Sequence, residues 1–193
     1  MASSEVDICN LALTQLREQP ITSLTDDASE AAQLCDRLYA DARDWVLRAH
    51  PWNFAVRRRR LPKVSPGPDF GYANAFALPA DPFCLRVMTV NDPATYTRYK
   101  IEGRQLLADV DTVELVYVAR VIDVNTYDAG FVQALSAYLA AQLAYPLTAN
   151  RNLAGERLQI FGDVMRRAKA IDGIEDVHDP TVISPFVAEH MRT

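Results

Sequence analysis

Six prolines, at positions 62, 66, 68, 79, 82 and 93, punctuate the middle of this chain. No long helix crosses such a stretch, because each proline removes a backbone donor and crowds the preceding turn. The centre is therefore strand and turn territory. Short runs of apolar and β-branched residues there predict strands at about 55–61, 75–78, 85–91, 97–102, 105–108 and 113–118. Glu102-Gly103-Arg104 between two of them predicts a hairpin, since glycine supplies the positive φ that tight turns need. One antiparallel sheet of four or more strands is the expected assembly.

The flanks carry a different period. Val6, Cys9, Leu13 and Leu16 recur at helical spacing, with Ser4 and Asp7 placed as a capping pair, and this helix, about 4–17, stops before Pro20. A second, about 27–50, has Asp27 and Glu30 as cap and box, and an apolar stripe of Ala31, Leu34, Leu38, Ala42, Trp45 and Ala49. His50-Pro51 closes it. Two more follow the strands. Phe131, Leu135, Tyr138, Leu139 and Leu143 run to Pro146 (about 128–146), and Leu158, Phe161, Met165 and Ala168 lead to Gly173 (about 152–172). The predicted class is α+β: a mainly α-helical bundle of about four helices with an antiparallel β insertion at about 55–120, forming one domain over 1–173.

From 174 to 193 no period is visible. The segment nevertheless holds Ile174, Val177, Val182, Ile183, Phe186 and Val187, more apolar residues than solvated tails usually carry. It reads as an extended C-terminal arm that docks on another body, with packing on its own domain as the alternative.

Chemistry-bearing patterns are scarce. Net charge is −5, whereas proteins that grip nucleic acid usually present a basic surface. The longest apolar runs fall short of the roughly 20 residues a bilayer span requires, and no secretory leader is seen, which predicts synthesis in a cytoplasm. Cys9, Cys35 and Cys84 lack C-x-x-C spacing and sit in apolar patterns, as buried free thiols do. His50, His178 and His190 have no ligand-spaced companions, and no phosphate-cradling glycine loop or nucleophile elbow is present, so neither metal nor cofactor is expected. The run Arg57-Arg58-Arg59-Arg60 is the sharpest charge feature. On a strand it divides between two faces, and inter-subunit ion pairs, a solvated face or phosphate contacts are its open roles.

Two segments carry a family resemblance. Ala49-His50-Pro51-Trp52-Asn53-Phe54-Ala55 and Phe76-Ala77-Leu78-Pro79-Ala80-Asp81-Pro82-Phe83-Cys84-Leu85-Arg86-Val87 resemble tail tubular protein A and related head-to-tail adaptors of short-tailed bacteriophages. There a helix ends in Pro-Trp-x-Phe-Ala before basic residues, and a Leu-Pro-x-Asp turn precedes Leu-Arg-Val. Asn10 to Leu13 and Leu24 to Asp26 extend the similarity, and the order of elements agrees. Physically, Trp52 and Phe54 read as aromatic anchors tying the second helix to the sheet. Pro79 and Asp81 read as a turn that sets the register of the strand carrying Arg86.

The resemblance implies a virion protein of the head-to-tail junction, a structural subunit rather than an enzyme. Twelve copies would form a ring between the portal and a nozzle of the tail tubular protein B kind. DNA would pass through without specific binding, and the C-terminal arm would reach the portal. Such rings use heterologous interfaces, in which one face of a subunit meets a different face of its neighbour. The alternative is a virion-associated glycan or peptidoglycan hydrolase, which needs only two suitably placed carboxylates.

Overall fold

The computed structural model describes residues 4–92 and 96–175. It has four helices, α1 (Glu5–Leu16), α2 (Glu30–Ala49), α3 (Ala129–Thr148) and α4 (Arg151–Glu175), and seven strands between α2 and α3. These are β1 (Val56–Leu61), β2 (Lys63–Val64), β3 (Asn74–Ala77), β4 (Cys84–Val90), β5 (Tyr99–Glu102), β6 (Gln105–Ala108) and β7 (Val113–Ala119). The α+β class with a β insertion between pairs of helices is thus what the chain adopts.

The helical half is built around α3. Its residues Phe131, Leu135, Leu139, Leu143 and Ala144 are all buried, and so are Val132, Ala134, Ala137 and Ala140 on its other sides. A helix that is apolar all round has to be covered all round, and α1, α2 and α4 each pack on it. Asp128 caps it, accepting from the Gly130 and Phe131 amides at 2.6 and 3.4 Å. Gly130 lets α4 approach closely, since a Cβ there would lie 3.2 Å from that of Ala168.

Several boundaries differ from expectation. The cap of α2 is Ser29, which accepts from the Ala32 amide, while Asp27 instead accepts from the Ser29 and Thr22 amides and shapes the preceding loop. The buried stripe of α2 is Ala32, Cys35, Tyr39, Ala42, Val46 and Leu47. It is turned about one residue from the predicted stripe, which leaves Ala31, Leu34, Leu38 and Ala49 at its margin and Trp45 47% exposed, stacked on Tyr138 at 4.5 Å. Helix α3 continues two residues past Pro146. The carbonyl that the proline cannot engage belongs to exposed Gln142, where water reaches it, so the cost is small. Leu158 is exposed, and the buried row of α4 is Phe161, Met165, Ala168 and Asp172.

The strands form two sheets rather than one. The first has the order β1-β7-β4 and the second β2-β3-β6-β5, all antiparallel. The chain crosses from one to the other at Pro62, between β1 and β2, and Leu61, Phe76, Leu106, Val113, Leu115 and Tyr117 fill a second, smaller core. Alternation along β7 assigns its faces. Tyr117, Leu115 and Val113 look into that small core, whereas Val118 joins the helical core. The β5–β6 hairpin turns at Gly103, φ 55°, as predicted.

Candidate interaction surface

The arginine run lies on β1, which among the described residues pairs with β7 alone, and charge on its outer edge discourages further strand pairing there. Register with β7 divides the run as expected. Arg57 and Arg59 face Tyr117 and Leu115, and Arg58 and Arg60 face Val116 and Glu114. All four are exposed, yet three are engaged. Arg57 donates to the Phe54 and Val56 carbonyls at 2.8 and 2.9 Å, Arg59 to the Asp81 carbonyl at 2.7 Å, and Arg60 pairs with Glu114 at 2.6 Å. Arg58, Arg59 and Arg60 line a groove of about 460 Å³ together with Asn91 and Glu114.

The two segments that carry the family resemblance meet at the junction between helices and sheets. Trp52 is fully buried and donates its indole N–H to the Val46 carbonyl at 3.1 Å, with Phe131 edge-on at 5.3 Å. Phe54, half-buried, contacts Trp52, Tyr127 and Phe131. At the other segment, Ala80 and Phe83 bridge across Asp81-Pro82, a cis peptide, in the turn that Pro79 and Asp81 predicted. Pro79 is buried and Asp81 exposed, and the Pro79 carbonyl accepts from the Cys84 amide at 3.0 Å where β4 begins.

Arginines tie these pieces together through backbone carbonyls. Arg86 donates to the Arg48 carbonyl at 3.0 Å, and Arg48 donates back to the Leu85 carbonyl. Arg104 donates to the carbonyls of Cys84, at 2.9 Å, and Pro79, and its guanidinium lies 3.9 Å from the Phe83 ring centre. Arg120 also sits over Phe83, at 4.5 Å, and pairs with Asp44 of α2 at 2.5 Å, which in turn holds Arg43 at 2.9 Å. Arg48, Arg86 and Arg104 thereby line a cleft of about 580 Å³. Their charge is felt by Cys84, whose thiol is pushed up by burial and pulled partly back by Arg104 and Arg48.

A latch closes the end of the helical half. Asp172 of α4 is buried. It accepts from the His50 ring at 2.8 Å and the Asn53 amide at 3.2 Å, and its own carbonyl accepts from the Asn53 side chain at 2.9 Å. Ile174, expected as the first residue of the arm, is instead in the last turn of α4 and 82% exposed. The helix runs on through Gly173 to Glu175, and no proline interrupts it before Pro180. Val177, Val182, Ile183, Phe186 and Val187 lie outside the described residues.

All three cysteines are buried and free. Cys9 and Cys35 hydrogen-bond to each other, which raises the Cys9 thiol and lowers that of Cys35. Among the described residues no cluster of three or more His, Cys, Asp and Glu could hold a metal ion, and no helix is long and apolar enough to cross a membrane. No model of a known protein family matches the chain, and no curated protein matches it significantly.

The junction residues Arg48, Arg104, Arg120, Asp44 and Asp172 were invisible to sequence reasoning. Each is a single charged residue without a local motif, and only the fold makes them neighbours. The weak signal that existed was Asp172 itself, a carboxylate in register with the apolar row of α4.

Proposed function

We propose that this chain is a structural ring subunit of a short-tailed bacteriophage, an adaptor of the tail tubular protein A kind that joins the portal to the tail nozzle. The observation that carries the reading is the junction. The second of the segments resembling that family bonds β4 to α2 through Leu85 and Arg86, whose partner Arg48 immediately precedes the first segment, and Trp52 of the first segment holds the end of α2 at the Val46 carbonyl. A ring subunit has to hold two dissimilar faces at a fixed angle, since heterologous contacts close a ring only at one rotation. A helical half and a β half clamped by arginine bonds to backbone meet that need.

In this reading the ring is a dodecamer. One face offers the groove beside Arg58, Arg59 and Arg60, and the partly exposed Trp45–Tyr138–Phe161 cluster offers an apolar contact elsewhere on the helices. The net charge of −5 suits a passage through which DNA slides without being held. The stretch from Ile174 through Val177, Val182, Ile183, Phe186 and Val187 is assigned to portal docking, and the chain is assigned no catalytic role.

The assignment of the arm is tested by replacing Phe186→Ala and measuring capture of the protein by the portal ring of the same phage. Loss of an aromatic anchor at an interface centre is expected to lower affinity by at least tenfold. Unchanged capture would remove Phe186 from the portal contact and with it the docking role of the segment.

A further inference from the structure

The cleft at the junction is chemically one-sided. Arg48, Arg86 and Arg104 line it with apolar walls from Leu85, Val87 and Ile101, and no carboxylate is among its lining residues. Among the described residues none of the three arginines has an ion pair. A guanidinium carries five N–H donors. Arg48 and Arg86 each give one to a backbone carbonyl and Arg104 gives two, which leaves donors on every one for an anionic visitor.

We propose that this cleft is the docking site of the acidic stretch that follows α4 in the same chain, with Asp176 and Asp179 seated on the guanidinium groups of Arg48 and Arg86. Charge is the first argument. Glu175-Asp176-Val177-His178-Asp179-Pro180 places three carboxylates close together, and no lysine or arginine follows until Arg192.

Placement is the second argument. Asp172, one turn before the end of α4, is bonded to His50 and Asn53, so the segment begins beside the end of the helix that carries Arg48. Residues 176–179 stretched at about 3.3 Å each cover roughly 13 Å, and the stretch through Phe186 roughly 36 Å. Tethering is the third. Partly exposed ion pairs contribute little each, but a short linker holds the ligand at an effective concentration in the millimolar range, where weak pairs are populated.

The docked acids would fix where the chain leaves the body and leave Val182, Ile183, Phe186 and Val187 free for another partner. The inference concerns the isolated subunit and stands whether or not the phage assignment does.

Backbone nitrogen-15 relaxation on the full-length protein tests it. In dilute buffer the amides of residues 176–179 are expected to show heteronuclear enhancements close to those of α4 and not the low values of a free peptide of the same sequence. They should fall to low values in the double variant Asp176→Asn/Asp179→Asn, in Arg48→Gln, and at about 1 M salt, where the Debye length falls to about 3 Å. The double variant leaves the residues of the described fold unchanged. Three outcomes overturn the proposal: peptide-like relaxation in the unaltered protein, ordering that survives the tail variants and salt, or ordering that grows with protein concentration. The last would assign the cleft to a second copy.

Discussion

Around α3 the core is closed by apolar contact where α1, α2 and α4 pack, while Gln133 and Gln142 stay exposed, and rings of Trp52, Phe54, Tyr127 and Phe131 meet within it at centroid distances from 4.8 to 6.4 Å. The core of the β half holds fewer side chains, and its margins are held by arginines donating to carbonyls. The helical half owes its form to burial, which is non-directional and has no charges for salt to screen. The β half owes its attachment to directional bonds, which set angle and register. A junction made this way suits a part whose orientation matters more than its depth of core.

The sharpest way to separate the two halves is Phe131→Ala. The ring is fully buried against three others, and its loss is expected to cost about 3–5 kcal/mol. Thermal unfolding followed by helical circular dichroism checks this. If the halves are held independently, amide protection in β3 and β6 falls less than protection in α3, and equal loss in both would show one cooperative unit instead.

Alkaline titration probes the same core from another side. Tyr127 is buried, donates to the Val121 carbonyl at 3.0 Å, and its phenol is pushed up to about 12, chiefly by burial. The unfolded chain ionises near the ordinary tyrosine value of 10 while the folded chain resists. Stability is therefore complete below pH 10 and falls as pH rises toward 12, by an amount on the order of 2 kcal/mol. Tyr39 is raised in the same direction by burial and adds to the loss. Denaturant unfolding across that window should show a shallower fall in Tyr127→Phe.

The smallest effect is expected at the β half. Arg104→Ala removes donors from the Cys84 and Pro79 carbonyls, part-buried bonds whose loss is expected to cost about 1 kcal/mol. The change should show as faster exchange at the start of β4, with α3 unaffected. A loss comparable to that of Phe131→Ala would mean that the arginine bonds, and not the aromatic packing, hold the molecule together.

Local signals in the sequence were legible where a single residue decides the outcome. Ser4 caps α1 by accepting from the Asp7 amide at 3.1 Å, Gly103 turns a hairpin, and Pro79 and Asp81 make a turn, while Trp52, expected to tie α2 to the sheet, bonds α2 and packs on Phe131 of α3. The apolar periods located all four helices. What escaped depends on which of two similar faces wins. Trp45 outweighs Ala32 and Cys35 in any hydrophobic count, yet its bulk is accommodated at the margin against Tyr138, and the smaller residues let α2 approach α3.

The division into two sheets escaped for a related reason. In the sequence Pro62 reads as a strand end, but with only Lys63 and Val64 needed to start the second sheet it acts as a corner. The arginine cleft was beyond reach, because its members come from α2, β4 and the β5–β6 turn and share no spacing.

The proposed place of this protein, as one copy in a ring that sits on a portal, can be tested directly. The direct measurement is the mass of the purified protein by light scattering, alone and mixed with the portal ring of the same phage. A complex is expected in which a fixed number of copies, twelve on the adaptor reading, joins each portal ring. A protein whose mass stays unchanged in the presence of that portal would contradict it.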